Sequence, residues 1–265
     1  MTSSAPPVRP MLNDVTLVAA TSIAIPATLR ALERSLDQAG FERVLLLSDR
    51  PPEGYDQLAD RRAVEWQPIA PLRSKIDYSL FMLRRLADYV TTRHALCIQW
   101  DGYVLNGAAW SPHFLDYDYI GAVWPHFSDG KSVGNGGFSL RSRKLLEACR
   151  HLPFDGLLPE DVVIGRLHRE ELEQGGIRFA PEPVARGFAY ERTAPDGLEF
   201  GFHGAFNLVR HLSHDEALEL FRSLEPQALT RDEHLELLRW ALRRGHARLA
   251  FAIALRLRGK LFMLD

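Results

Sequence analysis

The residues of this sequence best placed to do chemistry are carboxylates at the edges of apolar runs. In Cys97-Ile98-Gln99-Trp100-Asp101-Gly102-Tyr103 one acid follows directly on a buried-type stretch. An ionised carboxylate leaves water at high cost unless a cation or a hydrogen-bond donor meets it. A bound Mn²⁺ or Mg²⁺ would do so, because both take oxygen ligands and bridge a protein carboxylate to substrate phosphates. The plain alternative for Asp101 is a turn aspartate closing a strand.

A second acidic site is Leu158-Pro159-Glu160-Asp161-Val162-Val163, two adjacent carboxylates at an expected helix start. The helix dipole alone favours acids there. One of them could also take the proton of an acceptor hydroxyl as general base. Neighbouring helical residues point about 100° apart, so one at most faces a given site. Glu160 is the natural cap and Asp161 the candidate base. The run Val133-Gly134-Asn135-Gly136-Gly137-Phe138 lets the backbone come close to a ligand, or forms a tight hairpin. It has neither the G-x-G-x-x-G spacing of a dinucleotide loop nor the G-K-[ST] end of a P-loop. His203, set between glycines and aromatics in Phe200-Gly201-Phe202-His203-Gly204, could join Asp101 on a metal, or be a packed turn histidine. Lys75 could meet a phosphate as a point charge, or be a solvated surface lysine.

These residues need a frame, and the apolar runs supply one. Val15 to Ala20 reads as a fully buried strand, and Pro26, Leu29, Leu32 and Leu36 then mark a helix that Gly40 stops. Val44 to Asp49 is a second buried strand. Strand, helix, strand implies a parallel sheet with a right-handed crossover, whose ligands gather beyond the C-terminal strand ends. Thr21 and Asp49 lie at those ends and are candidate donor contacts. An amphipathic helix over residues 78–89, a strand over 95–100, a strand over 119–124 and a short one over 138–140 complete the pattern. From about residue 213 the sequence turns Leu-, Ala- and Arg-rich, with helices expected over 213–224, 231–244 and 246–258.

Composition sets the outer bounds. A chain of 265 residues with 46% hydrophobic content can bury a substantial core. Its 32 basic and 34 acidic residues nearly cancel, which argues against nucleic-acid binding through net charge. The 2 cysteines, Cys97 and Cys149, fall in apolar or helical settings and read as buried free thiols. No signal-peptide pattern opens the sequence and no apolar run of about 18 residues occurs, so a cytoplasmic protein without a spanning segment is expected. Peripheral membrane association stays open, since composition says little about docking.

The order of the motifs carries a resemblance. Lys75-Ile76-Asp77-Tyr78, Gln99-Trp100-Asp101, Tyr119-Ile120-Gly121-Ala122-Val123-Trp124, Gly134-Asn135-Gly136-Gly137-Phe138-Ser139-Leu140-Arg141, Pro159-Glu160-Asp161 and Phe202-His203 succeed one another as in the DUF5672 family of candidate bacterial glycosyltransferases. The resemblance covers roughly residues 13 to 210 and is most specific in the Tyr-Ile-Gly-Ala-x-Trp and glycine-rich runs. It implies a GT-A-like α/β fold: a mainly parallel sheet flanked by helices, with a flexible Pro-rich tail over 1–12, the transferase domain over 13–212 and a helical subdomain over 213–265.

By the same resemblance, Thr21, Asp49, Lys75 and Asp101 would hold a nucleotide-sugar donor, and Asp101 with His203 a divalent metal. Trp124, Asn135, Gly136 and Gly137 would shape the side facing a hydroxyl-bearing acceptor: a glycan, a lipid-linked glycan or a protein. Glu160 and Asp161 match the acidic motif that holds the base in inverting members. The expected activity is transfer of a hexosyl group in surface polysaccharide synthesis. Asp101 lacks the second acid of the usual Asp-x-Asp pair, its place being Gln99 or Tyr103, which puts metal dependence in question. Two other readings compete. A sugar nucleotidyltransferase would also use a strand-end Asp on Mg²⁺, but residues 19–26 lack the glycine-rich, basic loop that holds a triphosphate. A non-catalytic binding module would recruit a partner through its C-terminal helices.

Overall fold

Both sides of the first apolar run are buried: Leu17 and Ala19 pack into one core, Val18 and Ala20 into another. Successive side chains of a strand point to opposite faces, so an unbroken apolar run marks a strand covered twice. In the computed structural model, which describes residues 9–53, 55 and 64–261, this run is β1 (Met11–Ala20). Residues 1–8 of the expected tail lie outside the described residues, and Met11 and Leu12 already belong to the strand.

The chain continues through α1 (Ile25–Gln38), β2 (Gly40–Ser48), β3 (Val64–Pro68), α2 (Lys75–Arg84) and β4 (His94–Ile98). Buried Leu29, Leu32 and Leu36 give α1 its inner stripe, and each fully buried leucine stabilises by about 1.5–3 kcal/mol. β1, β2, β3 and β4 are all parallel, and β2 and β4 repeat the two-faced burial. Next come β5 (Tyr119–Gly121) and β6 (Phe138–Ser142), giving a six-stranded sheet in the order β3-β2-β1-β4-β6-β5. β6 runs antiparallel to both neighbours. The sheet is therefore mainly parallel and flanked by helices, as expected.

Two expected elements differ. The strand over 119–124 ends at Gly121, because residues beyond it turn to pair with the glycine-rich loop: Trp124 N–H donates to the Ser132 carbonyl at 2.7 Å. The helix over 78–89 starts earlier, at Lys75, where the Ser74 hydroxyl accepts from Asp77 N–H, and it breaks into a 3₁₀ turn over Leu86–Asp88.

After α3 (Arg143–Cys149) a short α4 (Glu160–Val162) winds on as a π-helix over Val163–Leu167. α5 (Arg169–Gln174), α6 (Glu182–Phe188), β7 (Ala189–Tyr190) and β8 (Gly201–Phe202) follow, the two strands forming a small parallel sheet. The expected C-terminal helices are α7 (His214–Ser223), α8 (Arg231–Arg243) and α9 (Ala247–Leu261). Capping boxes at Ser213/Glu216 and Thr230/Glu233 start the first two. They build no core of their own: Leu220, Phe221, Leu237 and Ile253 share one cluster with Leu32 and Leu17. Cys97 and Cys149 are buried and free.

Candidate active site

The C-terminal ends of β1 and β4, the residues that follow the short strands β7 and β8, and the start of α4 face one cavity of about 540 Å³. Thr21, Lys75, Asp101, Trp124, Asn135, Gly137, Glu160, Asp161 and His203 all line it. Two candidates do not. Asp49 turns to the Arg50 guanidinium, 3.0 Å away, and is absent from the wall: a strand end fixes an edge of the sheet but not the direction of the next side chain. Gly136 lies behind the wall, where its N–H donates to Asp161.

At one end of the cavity Asp101 meets His203. Asp101 Oδ1 lies 3.3 Å from His203 Nε2, and His203 Nδ1 lies 3.4 Å from Glu191 Oε1. The parallel pair β7 and β8 explains the second contact: Tyr190 is in register with Phe202, so the next residues, Glu191 and His203, emerge side by side. Gln99 Oε1 is 3.2 Å from the same Nε2. Burial opposes charge on His203, but the carboxylates of Asp101 and Glu191 outweigh it and hold the imidazole pKa well above its ordinary value.

Asp101 Oδ1 is buried with no hydrogen-bond donor of standard geometry, and a spacing of 3.3 Å from a ring nitrogen suits two neighbouring ligands on one ion. A divalent ion would be held here by Asp101, and by His203 once Nε2 has given up the proton that the two carboxylates favour, as a two-ligand site. Among the described residues no group of three His, Cys, Asp or Glu could hold a metal, so phosphate oxygens and water would have to supply the remaining positions.

At the other end the glycine-rich loop and α4 build the surroundings of Asp161. Gly136 N–H donates to Asp161 Oδ2 at 3.0 Å and Val162 N–H to Oδ1 at 2.8 Å. Behind them Arg141, fully buried, holds Glu160 at 2.9 Å and donates to the Gly136 carbonyl. Glu160 is thus an ion-pair partner rather than a helix cap, and its N–H is taken by the Ser79 hydroxyl at 3.3 Å. Burial, then the neighbouring Glu160 charge, push the Asp161 carboxyl up to about 7, against the N–H bonds and Arg141.

The glycines are spaces for incoming side chains. A Cβ on Gly134 would strike the Trp124 ring, one on Gly137 the His203 ring, and one on Gly136 would come within 2.8 Å of both Asp161 Cβ and Glu160 Oε1. The Thr21 hydroxyl accepts from Ile23 N–H at 3.1 Å, which tightens the loop after β1. That loop ends at Ala24, with φ 54, whose N–H donates to Glu225 from the C-terminal region at 2.8 Å. Gln227 to Glu233 close the wall opposite, and exposed Lys75 comes 3.9 Å from Glu233.

Sequence reasoning missed Glu191, Arg141 as a partner of Glu160, and this C-terminal wall. The first depends on the pairing of two dipeptide strands, for which the sequence carries no periodic signal. A charged residue within the apolar run Phe138-Ser139-Leu140-Arg141 was the available hint for the second.

Three solved structures resemble the fold at low similarity. The mannosyltransferase PcManGT from Pyrobaculum calidifontis, solved with GDP-Man and Mn²⁺, is 13% identical over 94% of this chain and 75% of that one, with a TM-score of 0.44. The glycosyltransferase GlyE of Streptococcus pneumoniae TIGR4 is 13% identical over 91% of this chain and 64% of its own length, with a TM-score of 0.46. A CMP:2-keto-3-deoxy-manno-octonic acid synthetase complexed with CTP is 12% identical over 64% of this chain and 87% of that one, with a TM-score of 0.37. No curated protein matches the sequence. The profile of the family described as "Protein of unknown function (DUF5672)" matches residues 63–203, just over half of the chain and every element from β3 to the site histidine. The chain therefore belongs to the DUF5672 family.

Proposed function

We propose that this protein is a glycosyltransferase that moves a sugar from a nucleotide-diphosphate donor to a hydroxyl acceptor, with inversion. The observation that carries this reading is one cavity with two unlike acidic ends. At one, the Asp101 carboxylate meets the His203 ring at 3.3 Å, with Glu191 against the ring's other nitrogen. At the other, Asp161 is raised to about 7, where a carboxylate is poised to take a proton near neutral pH.

In this reading Asp161 accepts the proton of the acceptor hydroxyl while that oxygen bonds to the anomeric carbon. The bond from that carbon to the diphosphate oxygen breaks, and the nucleoside diphosphate leaves with the electron pair. Asp101 and His203 would hold a divalent ion, which supplies charge neutralisation to the leaving diphosphate. Lys75 would meet a phosphate oxygen, and Thr21 the nucleoside. Trp124 and Phe127, with ring centroids 5.8 Å apart, give an aromatic wall for the apolar face of a sugar beside Asp161. The setting we infer, surface glycan synthesis, rests on the family resemblance alone.

The nucleotidyltransferase alternative finds no support in the loop after β1, where Thr21, Ser22, Ile23 and Ala24 offer no cationic side chain to a triphosphate. Isothermal titration with UDP-, GDP- and dTDP-sugars, with and without Mn²⁺, tests the proposal. At least one donor should bind, and Asp101→Ala should weaken it by about 100-fold or more, the upper range for disturbing even an outer partner of a metal ligand. No binding by any donor, or an Asp101→Ala variant equal to the wild type, would overturn the donor site.

A further inference from the structure

The near-neutral total charge hides a segregation along the chain. Residues 237–264 contain 7 Lys and Arg and no Asp or Glu, leaving 25 basic against 34 acidic residues elsewhere. This basic stretch is the end of α8, the turn at Gly245 and the whole of α9. The inner side of α9 is fixed by Leu249, Ala250 and Ile253, all 4% exposed or less. Its outer side carries Phe251 at 68% and Leu255 at 52% exposure, and Leu242 before the turn is 63% exposed.

At 100° per residue, Arg248, Phe251, Leu255 and Arg258 fall within an arc of about 80° on the solvent side of α9. Arg239, Arg243, Arg244 and Arg258 form no ion pair among the described residues, and Arg248 pairs only with the exposed Asp215.

We infer that this face docks on an anionic phospholipid surface. Large apolar side chains flanked by Arg258, which has no ion pair among the described residues, and Arg248, whose one partner is the exposed Asp215, need two things at once: an apolar phase for Phe251 and Leu255, and anionic groups for the guanidinium ions. The interface of a membrane rich in anionic lipid offers both in one plane. A nucleic acid or an acidic protein surface would satisfy the charges and leave the leucines in water. A second copy of the same face would oppose one cationic patch to another. The cavity walls lie on other segments, so this inference stands or falls apart from the transferase reading.

The test is vesicle flotation of the full chain with phosphatidylcholine vesicles, with and without phosphatidylglycerol, at low and high salt. Binding should appear only with the anionic lipid and fall at high salt. Arg258→Glu should lower the partition coefficient by about 25-fold, from roughly fivefold for the charge lost and as much for the charge gained. The pair Phe251→Ser and Leu255→Ser should do so by a similar factor, with melting curves unchanged because both side chains face solvent. Equal binding to neutral vesicles, no binding to either, or unaltered binding by both variants would overturn the inference. So would binding to DNA without binding to vesicles, or a dimer in solution that Phe251→Ser dissociates while the vesicles stay bare.

Discussion

Glu160→Gln separates the two things that the buried carboxylate does. Arg141 is 0% exposed and pairs with Glu160 at 2.9 Å, so removing the negative charge leaves a buried guanidinium with a neutral partner. Breaking such a pair costs about 3–5 kcal/mol, and the amide oxygen of glutamine, which can still accept from Arg141, keeps the loss near the lower figure. For a chain of this size that lowers the melting temperature by on the order of 10 °C. The same change acts on Asp161. Burial is the first cause of its raised pKa and the Glu160 charge the second, while Arg141 opposes both. With Glu160 neutral, the second cause disappears and Arg141 acts undiminished, so the Asp161 pKa should fall by about 1–3 units. Titration of the Asp161 carboxyl carbon by NMR in the wild type and the variant reads this directly, without knowledge of the substrate. A wild-type Asp161 that titrates in the ordinary carboxylate range would refute the assignment of a tuned base. So would a midpoint that stays put while the melting temperature drops.

Asp161 also links stability to pH. Its folded pKa of about 7 lies above the ordinary 3.8, so the folded state binds this proton more tightly than the unfolded state does. That contribution is fully present below about pH 4 and is lost as pH rises toward 7, by at most about 4 kcal/mol. Asp161→Asn should flatten the stability curve across this window in denaturant titrations, and an unchanged slope would count against it. In a transfer assay the same variant should lose roughly 10²–10⁴ in rate as a general base. Gly137→Ala should displace the His203 ring, lowering stability by about 1–3 kcal/mol and weakening donor binding in parallel; normal calorimetric binding would show that His203 is not a site residue. Ala24→Gly should be close to neutral, because relief of about 1–2 kcal/mol at φ 54 is offset by the added chain entropy and by the loss of a buried methyl. A loss as large as the methyl and entropy contributions together, about 2 kcal/mol in denaturant titrations, would mean that Ala24 is not strained in the left-handed region.

What could be read in the sequence was what burial writes into it. β1, β2 and β4 were legible because both faces are covered, and α1 because Leu29, Leu32 and Leu36 repeat at helical spacing. β3 was not: Val64-Glu65-Trp66-Gln67-Pro68 is an edge strand with half its side chains toward solvent, too short and too polar for a periodic signal. The direction of β6 was not legible either, since pairing direction depends on how a connection folds back rather than on the strand's own residues. Within the site, acids at strand and helix ends pointed to the right edge of the sheet. Asp49 shows the limit of that reasoning, being at the right edge and turned to Arg50. Glu191 shows the converse: nothing in its neighbours marks it, and only the pairing of Tyr190 with Phe202 brings it to His203.

The glycine-rich loop joins these observations. Glycines in a loop suggest a flexible cradle for phosphate, yet here the conformation is dictated by what arrives from elsewhere. Trp124 fills the space at Gly134, the Arg141–Glu160–Asp161 group fills that at Gly136, and His203 fills that at Gly137. Gly137 directly precedes Phe138, which pairs with Ile98 in the central sheet, so the loop is anchored at the strand end that leads to Asp101. One short backbone segment therefore touches both the His203 end of the cavity and the Asp161 end. A reaction in which a hydroxyl deprotonated by a base on one side attacks in line with a leaving group on the other needs a fixed separation between base and leaving group. A loop packed on all sides, tied to the sheet and too crowded to accept a Cβ, fixes that separation in a way that a mobile glycine loop could not.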